Sequence, residues 1–264
     1  MDQALVSRGL VPSREKGKAL IMAGLVYVNE QKIEKPGALV RPDDQVVVKG
    51  KTIPYVSRGG LKLEKALREF SLDLKDKVMM DVGASTGGFT DCALQQGVKR
   101  VYAIDVGYGQ LDWSLRQNPQ VINLERTNAR YLTEEDVPEE VDFISIDVSF
   151  ISLEKILPAL YPFLKDGGDL VALIKPQFEA GKEKVGKKGV VKDPEAHREV
   201  IRHILQVCRE LNYNPRGLQY SPITGPEGNI EFLLWAKKES PDRSIDWEEQ
   251  IASLVALAHQ ELRG

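Results

Sequence analysis

The 264-residue chain reads as an α/β protein: a doubly wound, mostly parallel seven-stranded sheet with its last strand antiparallel, preceded by a small α+β module. Three observations predict this. Apolar runs at 78–82, 100–105, 121–125, 141–147 and 168–174 alternate with segments long enough for crossovers, which is the pattern of a parallel sheet. Two further strand-like runs, Gly217 to Ser221 and Ile230 to Ala236, are joined by only about eight residues, too few for a parallel crossover, so the final strand turns back. The amino-terminal stretch carries shorter elements punctuated by Gly24, Pro36 and Gly37, which sets it apart as a unit of its own.

In chain order, Ala4 to Gly9 suits a short helix, and Ser13 caps a second from Arg14 to Ala23 that Gly24 stops. Leu25 to Val28 alternates like a strand, Asn29 to Gln31 turns, Lys32 and Ile33 resume, and Gln45 to Val48 forms another strand. Gly50 to Ser57 is a linker, so the expected division is 1–55 and 56–264. A helix from about Gly60 to Phe70 presents Leu61, Leu63, Ala66, Leu67 and Phe70 on one face. Asp193 and Pro194 start another, periodic from Val200 to Leu211. Beyond a polar linker at 239–245, Asp246 caps a last helix with Ile251, Leu254, Val255, Ala258 and Leu262 along its apolar face.

Hydrophobic residues make up 42% of the chain, enough for a packed core. Cys92 and Cys208 have no metal-ligand spacing and read as reduced core thiols, which points to the cytoplasm. Met1-Asp2 does not open a signal peptide, and no apolar stretch approaches the roughly 20 residues of a membrane span. The net charge of -3 conceals an asymmetry: residues 1–65 hold 12 Lys/Arg against 7 Asp/Glu, a balance of +5, and the remainder carries -8. A basic end suits nucleic acid, and it equally suits a solvated face.

The stretch Val78 to Asp91 is strand, tight glycine-rich loop, helix. Such a turn opens at the carboxyl end of a strand, where open α/β sheets bind small molecules. A dinucleotide fingerprint fails because position 85 is Ser, and a nucleotide P-loop fails because Phe89, not Lys, follows Gly88. Asp81 and Asp91 flank the loop, which favours a cationic ligand such as S-adenosylmethionine, with its sulfonium and ammonium, over a polyphosphate. Asp105, ending the run Val101 to Ile104, stands where a carboxylate meets ribose hydroxyls. An ordinary glycine-rich turn would look the same.

Lys62, Asp147, Lys175 and Glu231 lie at the ends or edges of expected elements. Asp147 and Lys175 end apolar runs and so should project beside the glycine loop. A buried lysine costs energy unless it is paired or used, although each residue alone could be half of a surface ion pair.

The amino-terminal residues Arg8-Gly9, Ser13-Arg14, Gly24 to Asn29, Lys35 to Gly37 and Asp43 to Val48 resemble the small RNA-binding module of ribosomal protein S four. The resemblance implies RNA binding by Arg8, Arg14 and Lys18; the last two are four apart on one helix face. Lys62 in Ser-Arg-Gly-Gly-Leu-Lys, Asp147 in Ile-Asp-Val-Ser-Phe, Lys175 in Ile-Lys-Pro-Gln-Phe-Glu and Glu231 in Gly-Asn-Ile-Glu-Phe-Leu resemble the Lys-Asp-Lys-Glu tetrad of FtsJ-type ribose 2′-O-methyltransferases. With the basic module, residues 1–237 are similar to the TlyA family of ribosomal RNA methyltransferases, historically labelled hemolysins.

That resemblance implies a Rossmann-like methyltransferase sheet and transfer of a methyl group from S-adenosylmethionine to the 2′-hydroxyl of a cytidine in ribosomal RNA. It implies Lys175 as base, Asp147 and Glu231 fixing the lysines, and Lys62 orienting the hydroxyl. Asp81, Gly83, Ser85 and Gly87 would surround the methionine part, Asp105 the ribose and Asn128 the adenine. The expected partners are ribosomal RNA or ribosomal subunits, without membrane or metal. The loop Gly181 to Lys192, with five lysines against one glutamate, reads either as a solvated loop or as an RNA contact. Two rivals remain testable: an inactive RNA-binding protein, opposed by the intact tetrad and loop, and a membrane-active hemolysin, which would need an exposable apolar hairpin or a basic amphipathic helix and is opposed by a carboxyl-terminal helix that is short and acidic at its start.

Overall fold

The computed structural model describes the chain except residues 12, 23, 34, 50–52, 226, 243 and 264 and the side chains of 19 and 263. The expected end of the second helix at Ala23 and the start of the linker at 50–52 therefore lie outside the described residues. Two compact units are present, Met1–Pro54 and Tyr55–Gly264.

In the first unit, helices α1 (Asp2–Ser7) and α2 (Arg14–Met22) accompany strands β1 (Val26–Val28), β2 (Gln31–Lys32) and β3 (Val46–Val48). The strands pair antiparallel in the order β2-β1-β3. Leu5, Ile21 and Val26 are fully buried and form the centre of this small core, with Leu20, Val11 and Met1 around them. Ser13 caps α2, its hydroxyl accepting from Lys16 N at 3.2 Å.

The second unit begins with α3 (Gly59–Glu69). Strands β4 (Val78–Val82), β5 (Arg100–Ile104), β6 (Val121–Leu124), β7 (Val141–Ile146), β8 (Leu164–Ile174), β9 (Tyr213–Tyr220) and β10 (Phe232–Lys238) form one sheet in the order β6-β5-β4-β7-β8-β10-β9. Helices α4 (Gly88–Gln95), α5 (Trp113–Arg116), α6 (Leu157–Leu160), α7 (Pro176–Glu179), α8 (Pro194–Glu210) and α9 (Glu248–Arg263) accompany it. The central strands are buried on both faces, as parallel strands covered by helices must be, and therefore read as continuous apolar runs.

The last strand, β10, runs antiparallel to both β8 and β9 and lies between them. That reversal matters for function. It brings the beginning of β10 to the edge where the parallel strands end, with Phe232 paired to Ile174 of β8. Glu231, one residue before β10, thereby arrives beside Lys175, one residue after β8.

Two strands are longer than their apolar runs. β8 starts at Leu164 through the exposed Lys165, Asp166 and Gly167, which resemble a loop in sequence. β9 starts at Tyr213 and contains Pro215, tolerated because β9 is the sheet edge. Asp193 caps α8, its carboxylate accepting from Glu195 N, and Asp246 accepts from Glu248 N at the start of α9. Ile251, Val255 and Ala258 of α9 are buried in the main core. Cys92 and Cys208 are buried free thiols, and among the described residues no helix is long and apolar enough to cross a membrane.

Candidate active site

The carboxyl edge of the sheet holds a continuous run of charged groups. Lys62 Nζ, from α3, donates to Glu231 Oε2 at 2.8 Å and to Asp147 Oδ2 at 3.3 Å. Lys175 Nζ pairs with the other oxygen of the same carboxylate, Asp147 Oδ1, at 2.6 Å, and donates to Ser149 Oγ at 3.1 Å. Gln177 Nε2 reaches Glu231 Oε1 at 3.4 Å. Two lysines alternate with two carboxylates, so the charges compensate within the run. Lys62, Lys175 and Glu231 are all buried. Such pairing is what makes charge tolerable there, since removing one member would leave its partner buried and unmatched.

Electrostatics separates the members. Burial works to lower the pKa of Lys62, but Asp147 and Glu231 outweigh it and hold the ammonium above its ordinary value. Burial would raise Asp147, and the two lysines overcome it, holding the carboxyl below its ordinary range. Lys62 is therefore locked as a cation between two anions. Lys175 faces one carboxylate and one neutral hydroxyl.

The glycine loop is built to touch this run. Gly83 has φ +86°, and a Cβ there would stand 2.5 Å from the carbonyl oxygen of Asp147. Only glycine lets the β4 loop come this close to the end of β7. The contact is tied by Asp147 N donating to Val82 O at 2.9 Å, while Gly83 N and Ala84 N both donate to Ile104 O of β5.

Two cavities open at this edge. One, of about 320 Å³, is lined by Lys62, Asp147, Lys175, Glu231, the loop from Gly83 to Thr86 and Thr224, among others. The other, of about 400 Å³, has apolar walls from Val82, Ile104, Ile151 and Ile156 and polar groups from Asp105 and Asn128. Gly83, Ser85, Asp147 and Ser149 line both, so the cavities meet beside the charged run. An apolar slot with a carboxylate and an amide leading into a charged chamber fits a nucleoside joined to an amino-acid tail.

The expected cofactor residues divide. Gly83, Ser85, Asp105 and Asn128 line a cavity. Asp105 accepts from Ser85 N at 2.8 Å and from Gly107 N at 2.7 Å, and Asn128 Oδ1 accepts from Arg130 N at 3.1 Å, so both are held in place. Asp81 and Gly87 line neither cavity. Asp81 is fully buried, accepting from Thr90 Oγ1 at 2.8 Å and Ser145 Oγ at 2.9 Å, and burial raises its pKa to about 6. Asp91 accepts from Val56 N at 2.7 Å. Both carboxylates flanking the loop thus accept hydrogen bonds from the scaffold.

In the first unit, the side chain of Arg8 donates to the carbonyls of Arg41, Pro42 and Asp44, and Arg14 pairs with Asp2 at 3.0 Å. Arg8 therefore fastens a loop with the donors expected to meet phosphate, and Arg14 shares its charge with Asp2. Lys18 is exposed. The sequence reading also passed over Ser149 and Phe150. Phe150 is 90% exposed at the wall of the second cavity, with φ +65°, a left-handed conformation uncommon for a bulky side chain. Its ring lies 5.0 Å from that of Phe178. An aromatic four residues past the end of a buried strand was the available signal.

Comparison with known proteins agrees with this geometry. Residues 55–238 match the model of the FtsJ-like methyltransferase family, and residues 2–46 match the S4 domain. The chain is 52% identical to the provisionally named rRNA methyltransferase YqxC of Bacillus subtilis, over 100% of this chain and 95% of that protein. It is 43% identical to the 16S/23S rRNA (cytidine-2′-O)-methyltransferase TlyA of Mycobacterium tuberculosis, over 93% of this chain and 91% of that one. The solved structure of a protein from Streptococcus thermophilus, provisionally named a hemolysin, superposes with a TM-score of 0.80 at 46% identity, covering 99% of this chain and 96% of the other. This chain belongs to the FtsJ-like methyltransferase family and carries an S4 domain at its amino-terminal end.

Proposed function

We propose that this protein transfers a methyl group from S-adenosylmethionine to the ribose 2′-hydroxyl of a cytidine in ribosomal RNA, using Lys62, Asp147, Lys175 and Glu231. The observation that carries this reading is the run from Glu231 through Lys62 and Asp147 to Lys175, buried where two cavities meet. The TlyA relative supplies the substrate class, and the S4 domain match supports RNA as the partner. The reading assigns the protein to the cytoplasm, where ribosomal subunits are found.

The cavity residues fit the cofactor. Gly83 and Ser85 would hold its amino-acid part, Asp105 its ribose and Asn128 its adenine. Once bound, S-adenosylmethionine supplies an electrophilic methyl group on a sulfonium. A ribose hydroxyl is a poor nucleophile at neutral pH, so a base must take its proton as the methyl arrives. Lys62 is held charged by two carboxylates and is a poor acceptor. Lys175, with one carboxylate and a hydroxyl beside it, is the base in this reading. Positioned proton transfer typically contributes about a hundredfold to ten-thousandfold. Alignment of the reacting atoms supplies a further part. Glu231 and Asp147 fix the lysines, and Lys62 orients the hydroxyl.

The test is to incubate purified protein and labelled cofactor with ribosomal subunits that lack ribose methylation, then map reverse-transcription stops at limiting nucleotide. The expected result is label at a cytidine ribose. Label confined to bases or to protein, or none in either subunit, would remove this reading.

A further inference from the structure

Taking Lys175 as the proton acceptor, as proposed above, leaves open how its amine is aimed. A lysine that accepts a proton must be neutral and must present its lone pair to the donor. A neutral amine has two N–H bonds and one lone pair in tetrahedral directions, and it rotates freely about Cε–Nζ. One acceptor fixes one N–H and leaves the lone pair two choices. Two acceptors leave it one.

Lys175 Nζ is ion-paired with Asp147 Oδ1 at 2.6 Å, and its one hydrogen bond among the described residues is the one it donates to Ser149 Oγ at 3.1 Å. Both partners line the two cavities, and Lys175 lines the first of them, so the amine and the hydroxyl that holds it stand at the junction. We infer that Ser149 is a positioning residue for proton transfer: its hydroxyl takes an N–H of Lys175 and, beside the ion pair with Asp147, restricts the rotation of the amine so that the lone pair can meet the substrate oxygen.

The chemistry of this acceptor matters as much as its position. Lys62, between two carboxylates, is held as a cation. A second carboxylate at Lys175 would favour the ammonium in the same way, whereas a hydroxyl accepts a hydrogen bond without adding negative charge. Ser149 thus provides direction at little cost in basicity. Its location follows from the backbone: Asp147 N is tied to Val82 O at 2.9 Å, and Phe150 turns the chain through φ +65° immediately after it. During transfer the 2′-oxygen bonds to the methyl carbon as the carbon–sulfur bond breaks, with that electron pair staying on sulfur. The hydroxyl proton moves to Lys175 Nζ, giving an ammonium that later returns it to water.

Three variants of the full-length protein test this: Ser149→Ala, Ser149→Thr and Ser149→Asp. Turnover on ribosomal subunits is measured with cofactor affinity by calorimetry. Separately, labelling of Lys175 by fluorodinitrobenzene is followed across pH in cofactor-free protein. Ser149→Ala should lower kcat about tenfold to a hundredfold while KM and cofactor Kd stay within about twofold. Ser149→Thr, which keeps the hydroxyl, should recover most of that loss. Ser149→Asp should be inactive and move the labelling of Lys175 to higher pH, as a second carboxylate stabilises its ammonium. The inference is overturned by wild-type kcat in Ser149→Ala, by Ser149→Thr performing no better than alanine, or by an unmoved labelling profile in Ser149→Asp. Failure of the wild-type protein to methylate subunits would instead strike the proposed function, and the labelling comparison would still report on Ser149.

Discussion

Lys175 and Lys62 grip opposite oxygens of one carboxylate: Asp147 Oδ1 stands 2.6 Å from Lys175 Nζ, and Asp147 Oδ2 stands 3.3 Å from Lys62 Nζ. The arrangement makes the two lysines unequal, because Lys62 also holds Glu231 at 2.8 Å while Lys175 holds Ser149. One lysine is neutralised by two anions and the other by one. Division of labour between orienting and accepting a proton follows from that asymmetry. Neither lysine type nor burial alone would produce it.

Asp105 is predicted to be the strongest single anchor of the cofactor. Its carboxylate already takes Ser85 N and Gly107 N, and charge-assisted bonds to ribose hydroxyls would add about 1.5 to 3 kcal/mol. Asp105→Ala should therefore raise the cofactor Kd about tenfold to a hundredfold by calorimetry. An unchanged Kd would take Asp105 out of the site.

Asp81 should govern stability rather than binding. Its folded pKa of about 6 lies above the ordinary 3.8, so the folded chain holds the proton more tightly than the unfolded one. Stability then falls as pH rises from about 4 through about 6, and the full cost, on the order of 3 kcal/mol, applies above that. Asp81→Asn lacks the ionisation, so its Tm relative to wild type should climb between pH 5 and pH 8. A difference in Tm that is flat across this range would mean that Asp81 does not titrate there.

Lys18 is the cleanest probe of RNA binding by the first unit. Arg8 is engaged with three carbonyls, and Arg14→Ala would strand the buried carboxylate of Asp2, so loss of RNA binding in either variant could be structural. Lys18 is exposed. Lys18→Ala should weaken binding to ribosomal RNA and reduce the slope of log K against log salt by about one phosphate contact. Binding and slope equal to wild type would remove Lys18 from the interface.

Much of this was legible in the chain because the chemistry sits where apolar runs end. Asp147 and Lys175 each follow a buried strand, and a parallel sheet carries such residues to one edge. Glu231 is harder to place. It precedes its strand, and only the reversal of β10 brings it to the same edge. Direction of side chains was not legible. Asp81 and Asp91 flank the glycine loop in sequence, yet Ser145 and Thr90 claim one and Val56 N the other. Arg8 looked like a phosphate ligand because its carbonyl acceptors at 41, 42 and 44 lie more than 30 residues away. Local spacing carries no information about such partners. Ser149 was hidden for the opposite reason: a single exposed serine has no periodicity to mark it.

Substitution of Lys175 separates a basic role from an electrostatic one. Lys175→Ala should remove turnover while sparing cofactor and RNA binding, and a loss of about a thousandfold corresponds to roughly 4 kcal/mol of transition-state stabilisation. Lys175→Arg is the sharper variant. Arginine keeps a positive charge opposite Asp147, so the alternation of charge from Glu231 to position 175 survives. It does not lose a proton in proteins, so it can hold the hydroxyl but cannot accept from it. The arginine variant should accordingly fold and bind both ligands, yet turn over almost as poorly as alanine. Turnover near wild type in Lys175→Arg would mean that Lys175 only orients the hydroxyl and that its proton passes directly to water.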